Sequence, residues 1–369
     1  MKYPAAVLGI ALAFLPSTLA WEPSATVSGV FDLAGPRSDG TLEVAGSGAL
    51  WTMGQSGTLT RFAAGEDAGA EPYIAVSPGH HVASANCDFP KDETYVLRLH
   101  APTGITRVSA DGRQTSSLVS LSVPGLNGIA FDTVGTFDHR LLATATVNGK
   151  TELVAADCNG AVRVITKSAP VVEGGLAVAP TSFGLFGGTL IAPDELSGVI
   201  WSIGPDGTSH QVVESGLPKG GDIGVESVAF VPPGFSRGGS VYYADRSTPN
   251  NPHPGTDHVL RVSSSDLVAA GVKDGDLLAA TEGGASMIDV RCETSCAVTT
   301  IVGTPTTAHG EGHIVFALNA ANPTPTATAI AASPRPNPGT VNPAPFVALF
   351  AAVIAGLAAI FVAASRRRR

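Results

Sequence analysis

The stretch GIAFDTVGTFDHRLLATA, residues 128–145, consists of a short apolar strand, a glycine-containing turn and a second apolar strand. The same order recurs in GLAVAPTSFGLFGGTLIAPD, residues 175–194, and in SVAFVPPGFSRGGSVYYAD, residues 227–245. The copies begin about fifty residues apart, and self-similarity at such a period is typical of repeat architectures. We therefore expect a fold built from one repeated β unit.

Each copy continues into a further pair of strands around a glycine turn, as in GVIWSIGPDGT, residues 198–208. Four strands per repeat make a propeller blade. Weaker copies begin near Thr26, Pro72 and Ser286, which brings the number of starts to six. The sequence thus predicts an all-β, six-bladed β-propeller over residues 21–321.

Two competing folds explain the pattern less well. A pair of β-sandwiches also contains many short strands with regular turns, but it does not explain the period or the recurring order of strand types. A soluble αβ enzyme needs long stretches of helical periodicity, and the sequence has none outside residues 346–364.

Both ends of the chain carry targeting signals. Residues 1–20 combine Lys2, a short apolar run and small residues before Trp21, which is the pattern of a cleaved signal peptide. Residues 346–364 are long and apolar enough for a transmembrane helix. Arginines dominate residues 365–369, so the positive-inside rule predicts a cytoplasmic tail and an ectodomain outside the cell.

A stalk is expected between propeller and membrane. Residues 322–345 are rich in Pro, Thr, Ala and Asn and lack apolar periodicity, as in an extended spacer. The tetrapeptide NPGT, residues 337–340, lies where a sortase motif would lie but lacks its common form. Whether the C-terminal helix is processed therefore stays open.

The negative net charge of the chain argues against nucleic acid and anionic surfaces as partners. The chain has a net charge of −9, and without Lys2 and the four terminal arginines 17 basic residues remain against 31 acidic ones, near −14. An ectodomain this acidic is not expected to bind nucleic acid or an anionic surface. Acidity suits cation binding, although solubility explains it equally well.

Four cysteines lie in the exported part, where disulfides persist. Cys292 and Cys296 flank a turn between two apolar runs, which predicts a local disulfide across a hairpin. Cys87 and Cys158 are the remaining pair, but the strand assignment places them on opposite faces of the fold. Their pairing stays open.

The strand starts NGIAF (127–131) and GLAV (175–178), and closing runs such as VIWSIGPDG (199–207), resemble the NHL and SMP-30/gluconolactonase-like six-bladed propellers. This group includes lactonases, sensors and binding scaffolds, so the fold alone does not select an activity. The resemblance implies, for the hydrolases of the group, a divalent cation, often Ca²⁺, held at the channel mouth by Glu, Asn and Asp.

Several residues are candidates for such a site. Asn127 resembles the Asn that opens one inner strand, and Glu226 begins the strand two blades later. The remaining carboxylate of the resemblance could be Glu71 or Glu173. Because inner strands begin at the face where second strands end, the metal-ligand candidates are expected to ring one mouth of the channel: Asn127, Glu226, Asp245, Asp194 and the further candidate Asn86. The alternative is that these residues only end strands and make turns.

The histidines predict little on their own. His253 and His258 lie in one long polar segment, and His309 and His313 flank a Gly-Glu-Gly tripeptide. No regular element fixes the spacing of either pair, so metal binding is weakly indicated. Both segments are expected to be surface loops.

Two functions follow as hypotheses. The first is a surface binding or scaffold propeller, displayed on the stalk, whose partner is a protein or a glycan. The second is a membrane-tethered, metal-dependent hydrolase of a small lactone or ester. The anchor and the missing catalytic signature favour the first, and the ring around Asn127 and Glu226 favours the second.

Overall fold

Six antiparallel sheets of four strands each surround a central channel in the computed structural model of the protein. Residues 19–63, 71–100, 102–301 and 306–319 are described. Each sheet is a blade, and its strand nearest the channel is the inner strand. The six-bladed architecture predicted from the repeat is confirmed.

The first four blades follow one another along the chain, after an N-terminal strand β1 (Glu22–Thr26) that joins the last blade. Blade 1 contains β2 (Val30–Ala34), β3 (Leu42–Gly46), β4 (Ala49–Met53) and β5 (Leu59–Phe62). Blade 2 contains β6 (Ile74–Val76) and, after a small hairpin of β7 (His81–Val82) and β8 (Cys87–Asp88), the strands β9 (Thr94–Arg98), β10 (Gly104–Val108) and β11 (Thr115–Ser120). Blade 3 contains β12 (Gly128–Phe131), β13 (Leu141–Val147), β14 (Lys150–Ala156) and β15 (Val162–Ala169). Blade 4 contains β16 (Ala177–Val178), β17 (Leu190–Asp194), β18 (Val199–Ile203) and β19 (Ser209–Glu214).

Blades 5 and 6 are interleaved. In chain order the remaining elements are β20 (Val225–Phe230), β21 (Gly239–Asp245), β22 (His258–Ser263), the helix α1 (Ser264–Ala269), β23 (Leu277–Thr281), β24 (Met287–Cys292), β25 (Cys296–Ile301) and β26 (Gly310–Leu318). Blade 5 is β20-β23-β24-β25, and blade 6 is β26-β21-β22-β1. Short 3-10 helices occupy Ala83–Ala85, Gly184–Phe186 and Phe235–Arg237.

The interleaving corrects two details of the repeat. The copy at residues 227–245 spans two blades, because β20 belongs to blade 5 and β21 to blade 6. The start near Ser286 is not an inner strand, since β24 is the third strand of blade 5, and the inner strand of blade 6 is β26. Phe235, in the crossover from β20 to β21, is fully buried and packs edge-to-face on Phe316 of β26 at 5.0 Å.

Ring closure comes from the two ends of the propeller. β1 pairs with β22 as the outer strand of blade 6, while β26 supplies the inner strand. The inner strands contact one another in the order β2, β6, β12, β16, β20, β26 and back to β2. Because this circle of contacts is closed, the ring holds the channel walls in fixed positions.

The core lies between neighbouring blades. Between blades 2 and 3, Phe89, Tyr95 and Phe131 meet in edge-to-face pairs with ring centroids 5.0 to 5.4 Å apart. Such pairs contribute roughly 0.5–1.5 kcal/mol each beyond the burial of their area.

Both cysteine pairs are disulfide-bonded. The predicted bond between Cys292 and Cys296 closes the β24–β25 hairpin. Cys87 and Cys158 are bonded as well, so the expectation that they lie on opposite faces is wrong. The physical reason is that Cys87 belongs to the hairpin inserted between β6 and β9, on the face where inner strands end, and Cys158 follows β14 on that same face.

Among the residues that the structure describes, no helix has the length and apolar character needed to span a bilayer. The predicted signal peptide lies almost entirely, and the stalk, transmembrane helix and arginine tail lie wholly, outside the described residues. The described chain does include Trp21, whose indole Nε1 donates to the carbonyl oxygen of Ala285 at 2.9 Å. The chain therefore contacts the propeller already at Trp21, directly before β1.

Candidate acidic site at the channel mouth

The channel widens into a cavity of about 560 Å³ at the face where the inner strands begin. We call this cavity the acidic cup, because carboxylates dominate its charged lining. Its charged residues are Glu71, Glu173, Glu195, Asp222, Glu226, Glu282, Glu311, His309 and Arg246. At the opposite end of the channel lies an apolar cavity of about 430 Å³, lined by residues such as Ile129, Phe230 and Phe316.

Four of the seven residues predicted from the sequence line the cup: Asn127, Glu226, Glu71 and Glu173. All four lie at or just before the beginning of an inner strand, as the strand assignment expected. Asn127 donates through Nδ2 to Thr146 Oγ1 at 3.0 Å and to the carbonyl oxygen of Val172 at 3.2 Å, while its Oδ1 is buried without a hydrogen-bond partner among the described residues.

The other three residues are not brought to the cup. Asp194 caps its own turn by accepting hydrogen bonds from the amides of Leu196 and Ser197, so it follows the turn alternative. Asn86 ends a 3-10 turn in the β7–β8 hairpin at the other face. Asp245 is buried and accepts from the His309 amide at 2.8 Å and from the Thr256 hydroxyl. Asp245 therefore fixes the main chain of a residue that does line the cup.

Sequence reasoning missed three residues that share one position. Glu195, Arg246 and Glu282 each follow directly after the last residue of a blade's second strand, β17, β21 and β23 respectively. Glu195 and Arg246 directly follow the repeat copies that end at Asp194 and Asp245, so their equivalence was visible in the sequence. The equivalence of Glu282 was hidden, because the interleaving of blades 5 and 6 removes β23 from the order of the repeat.

Sequence reasoning also placed His309, Glu311 and His313 on a surface loop, and the structure corrects this. His309 immediately precedes β26, and the other two lie within it. A signal was present: HIVF at 313–316 repeats the pattern of GIAF at 128–131 and SVAF at 227–230, which are both inner strands. The predicted loop residues His253 and His258 are half-buried beside the cup, in and after the β21–β22 connection.

His309 lies between two carboxylates. Its Nε2 is 2.9 Å from a carboxylate oxygen of Glu282 and 3.5 Å from one of Glu311, and only 2% of the His309 surface is exposed. Burial opposes the charged form of His309, but its interactions with these two carboxylates outweigh burial and raise its pKa to about 9. One ligand atom from each of the three residues lies within 4.8 Å of the others.

Glu226 forms the floor of the cup. Its Oε1 accepts hydrogen bonds from the Tyr73 hydroxyl at 3.0 Å and from the Gly312 amide at 3.3 Å. Burial, reinforced by the charges of Glu311 and Glu282, raises the pKa of Glu226 well above its usual range. The hydrogen bonds from Tyr73 and Gly312 therefore hold the Glu226 side chain in the floor of the cup.

Glu173 and Glu195 are neighbours in the lining of the cup, and Glu195 also lies beside Glu282. Burial and the neighbouring Glu195 raise the pKa of Glu173 to about 7, and burial together with Glu282 raises the pKa of Glu195 to about 7. Glu195 is 7% exposed, and its Oε1 has no hydrogen-bond partner among the described residues.

Both cationic groups of the cup are already paired. Arg246 contacts Glu71 at 2.9 Å and Glu311 at 3.3 Å, and its guanidinium lies 5.3 Å from the ring centroid of Phe31. His309 is the other cation. Among the described lining residues, no positive charge remains without an acidic neighbour, so the cup carries an excess of carboxylates.

A buried ion pair joins two inner strands, with Asp32 on β2 and His313 on β26. His313 Nδ1 lies 2.9 Å from Asp32 Oδ1, and His313 Nε2 bonds the carbonyl oxygen of Ile129 at 2.8 Å. Asp32 is fully buried and also accepts from the amides of Leu33 and Ile74. All side-chain polar atoms of this pair are hydrogen-bonded, so the pair is a satisfied part of the channel wall.

The donor set implied by the resemblance comes together only in part. Ca²⁺ takes six to eight oxygen ligands. Asn127, Glu226, Glu71 and Glu173 line the cup, whereas Asp194 and Asp245 do not. Oε1 of Glu226 already accepts from Tyr73 and Gly312, and Glu71 pairs with Arg246. The group that does converge contains a histidine nitrogen.

Comparisons with known proteins assign no family to this chain. No protein-family model matches the sequence, and no curated protein matches it. The structure is similar to the nidogen/laminin complex, with 13% identity, 78% of this chain and 85% of that chain covered, and a TM-score of 0.49. The chain is a six-bladed β-propeller.

Two further solved structures have a similar propeller. A putative oxidoreductase (glucose dehydrogenase) from Thermus thermophilus is 14% identical, with 77% of this chain and 88% of that chain covered and a TM-score of 0.48. A putative gluconolactonase is 11% identical, with 81% and 96% covered and a TM-score of 0.40. At these identities the likeness concerns the fold alone, and function has to be argued from the cup.

Proposed function

We propose that the protein is a binding propeller that holds a small polar ligand, uncharged or cationic, in the acidic cup, with a divalent cation as part of the site. The observation that supports this most directly is the charge of the cup. Its two cations are already paired with Glu71, Glu282 and Glu311, whereas Glu173 and Glu195 have no cationic partner among the described residues. An anionic ligand would meet uncompensated repulsion there.

The size of the cup supports a small ligand. A volume of about 560 Å³ lies within the range of roughly 300–1,000 Å³ that is usual for small-molecule sites. One or two sugar units fit such a volume, either free or at the end of a surface glycan. Recognition by a concave, rigid site distinguishes this function from that of a flat protein scaffold.

The proposal includes display at the cell surface. It rests on the sequence of residues 1–20, 322–345 and 346–369, which predict export, a stalk and a single membrane span. Protease treatment of intact cells should remove the propeller from the membrane fraction and leave a short C-terminal fragment. A propeller that is protected until the cells are lysed would contradict surface display.

A matched set of sugars tests the charge argument. Glucosamine, glucose and gluconate have similar size but positive, zero and negative charge at neutral pH. In thermal melts of the metal-free full-length protein at low salt, we expect stabilisation in the order glucosamine, glucose, gluconate. Glu173→Gln should reduce the preference for glucosamine over glucose, while exposed Glu214→Gln should not. The strongest stabilisation by gluconate would overturn the proposal.

Hydrolysis of a small ester or lactone is a second candidate function. The observation that favours it is the unpaired Oε1 of Glu195, which faces the cup and could accept a proton from water. The water oxygen would bond to the acyl carbon, the C–O bond to the leaving group would break, and Glu195 would return the proton to that oxygen. A divalent cation, when bound, would polarise the carbonyl group. Turnover of a lactone and ester panel should disappear in Glu195→Gln, and equal turnover in this variant would reject the role of Glu195.

A further inference from the structure

We infer that the cation site of the cup consists of Glu282, His309 and Glu311 and suits a transition-type ion such as Zn²⁺ or Mn²⁺. This inference rests on the proposed cation role of the cup and specifies its donors and its metal class. It departs from the oxygen-only calcium site that the propeller resemblance implies. Three features of the residues support it: the spacing of the donors, their rigidity and the unsatisfied atoms around them.

The donor spacing is compatible with one small ion. The His309 nitrogen lies 2.9 Å from a Glu282 oxygen and 3.5 Å from a Glu311 oxygen, and all three ligand atoms lie within 4.8 Å of one another. Tetrahedral ligands at bonds of roughly 2.1 Å are about 3.4 Å apart. Side-chain movements of about 1 Å or less, shared between the carboxylates, would therefore suffice to surround an ion.

The three residues are held together through the main chain. The Gly310 amide donates to the Glu282 carbonyl oxygen at 2.7 Å, and the Arg246 amide donates to the His309 carbonyl oxygen at 2.8 Å. The Glu282 amide is bonded to Gly224, and the His309 amide to the Asp245 carboxylate. Donors fixed in this way lose little conformational freedom when they bind an ion.

Two buried atoms at the site have no partner among the described residues. One is Nδ1 of His309, which is 2% exposed, and the other is Oε1 of Glu195, which is 7% exposed and lies in the same cup. A buried polar atom without a hydrogen bond costs about 1–3 kcal/mol. Glu195 lines the same cup as the three donors, and as a fourth donor it would gain a partner for its free oxygen.

Donor chemistry selects the class of metal. Ca²⁺ prefers six to eight oxygens, whereas imidazole nitrogen suits Zn²⁺, Fe²⁺ and their neighbours, and carboxylates suit Mn²⁺. One nitrogen with two or three carboxylates is a donor set of this second kind. His309, which is fully buried, supplies the nitrogen that favours a transition-type ion over Ca²⁺.

The test is isothermal titration of the full-length, metal-free protein with Zn²⁺, Mn²⁺ and Ca²⁺. We expect one site that binds Zn²⁺ or Mn²⁺ more tightly than Ca²⁺. His309→Gln and Glu282→Gln should each weaken binding more than about 100-fold, since outer-shell changes alone typically cost 10–100-fold. Exposed Glu214→Gln, the same change outside the cup, and Asp194→Asn, a turn residue outside the cup, should leave binding within about threefold of the wild type.

The outcomes separate the two proposals. Tight binding of Ca²⁺ that survives His309→Gln would overturn the inference and leave the cation role of the cup standing. Zn²⁺ binding that is unaffected by both site variants would place the ion elsewhere and overturn the inference. No binding of any of the three ions would overturn the inference together with the proposed cation role. Circular dichroism of each variant excludes unfolding as the cause of a loss.

Discussion

Glu43 should make the protein less stable as the pH rises from about 4.5 to 7. This carboxyl group is fully buried between blades 1 and 2, where Thr94 donates to it and Arg37 pairs with it. Burial nevertheless dominates and raises the pKa of Glu43 from 4.5 to about 7. Between these values the folded protein keeps a proton that the unfolded chain has lost, so the free energy of unfolding falls with increasing pH. Well above pH 7 the Glu43 carboxyl group is ionised in the folded and the unfolded protein, so the free energy of unfolding falls no further through this group.

The magnitude follows from the shift. A pKa shift of one unit corresponds to about 1.36 kcal/mol. The rise of the Glu43 pKa from 4.5 to about 7 therefore lowers the free energy of unfolding by about 3 kcal/mol at high pH. Glu43→Gln removes this titration and keeps a hydrogen-bond acceptor for Thr94. Any constant cost of weakening the contact with Arg37 adds equally at each pH and does not alter the slope.

Urea unfolding at pH 4, 5, 6, 7 and 8 measures the effect. The difference in unfolding free energy between the wild type and Glu43→Gln should change by about 3 kcal/mol across this range, in favour of the variant at high pH. Other buried acids, such as Asp289, are common to both proteins and cancel in the difference. Exposed Glu214→Gln is the control and should follow the wild type. Parallel profiles for the wild type and Glu43→Gln would refute the reasoning.

Three further predictions concern the stability of the ring. Replacing Cys87 and Cys158 by serine should lower the free energy of unfolding by about 4 kcal/mol, and replacing the pair in the β24–β25 hairpin should lower it by about 2 kcal/mol. The difference is expected because the sequence separations are 71 and 4 residues. Equal losses in urea unfolding would contradict this. Tyr73→Phe should cost about 1–2 kcal/mol by removing a buried donor to Glu226, and an unchanged unfolding midpoint would contradict it. Deleting β1 should leave β22 as an open edge and cause concentration-dependent association, measured by light scattering, whereas an equally long deletion within residues 322–345 should not.

Local sequence patterns predict the blades whose strands are consecutive. Residues 128–145 and 175–194 are the inner and second strands of blades 3 and 4, as the repeat indicated. The same reasoning fails after β20, because a strand's own residues do not specify which blade it joins. Pairing of β21 with β26 depends on contacts between residues about seventy positions apart, as for Val241 with Phe316.

The candidate site was predictable to the extent that its residues precede inner strands. This rule found Asn127, Glu173 and Glu226, but it also selected Asn86, which precedes a strand of an inserted hairpin. Glu195 and Arg246 were missed because the prediction chose the last residues of the second strands, Asp194 and Asp245, and not the residues that follow them. His309 was missed because the loop assignment ignored HIVF at 313–316, which lies within the strand β26 that begins directly after His309.

The interleaved blades also determine when the fold can be completed. Blade 6 takes its outer strand from Glu22–Thr26, its two middle strands from residues 239–263 and its inner strand from Gly310–Leu318. A chain that emerges from its N-terminus can assemble blades 1 to 4 from consecutive segments, but it holds β1, β21 and β22 without their inner strand until residue 318 is available. The partly built ring therefore exposes unpaired strand edges, and completion requires contacts across more than 230 residues, as between Glu22 and Arg261. The last strand to be made is thus the one that turns a row of blades into a closed ring.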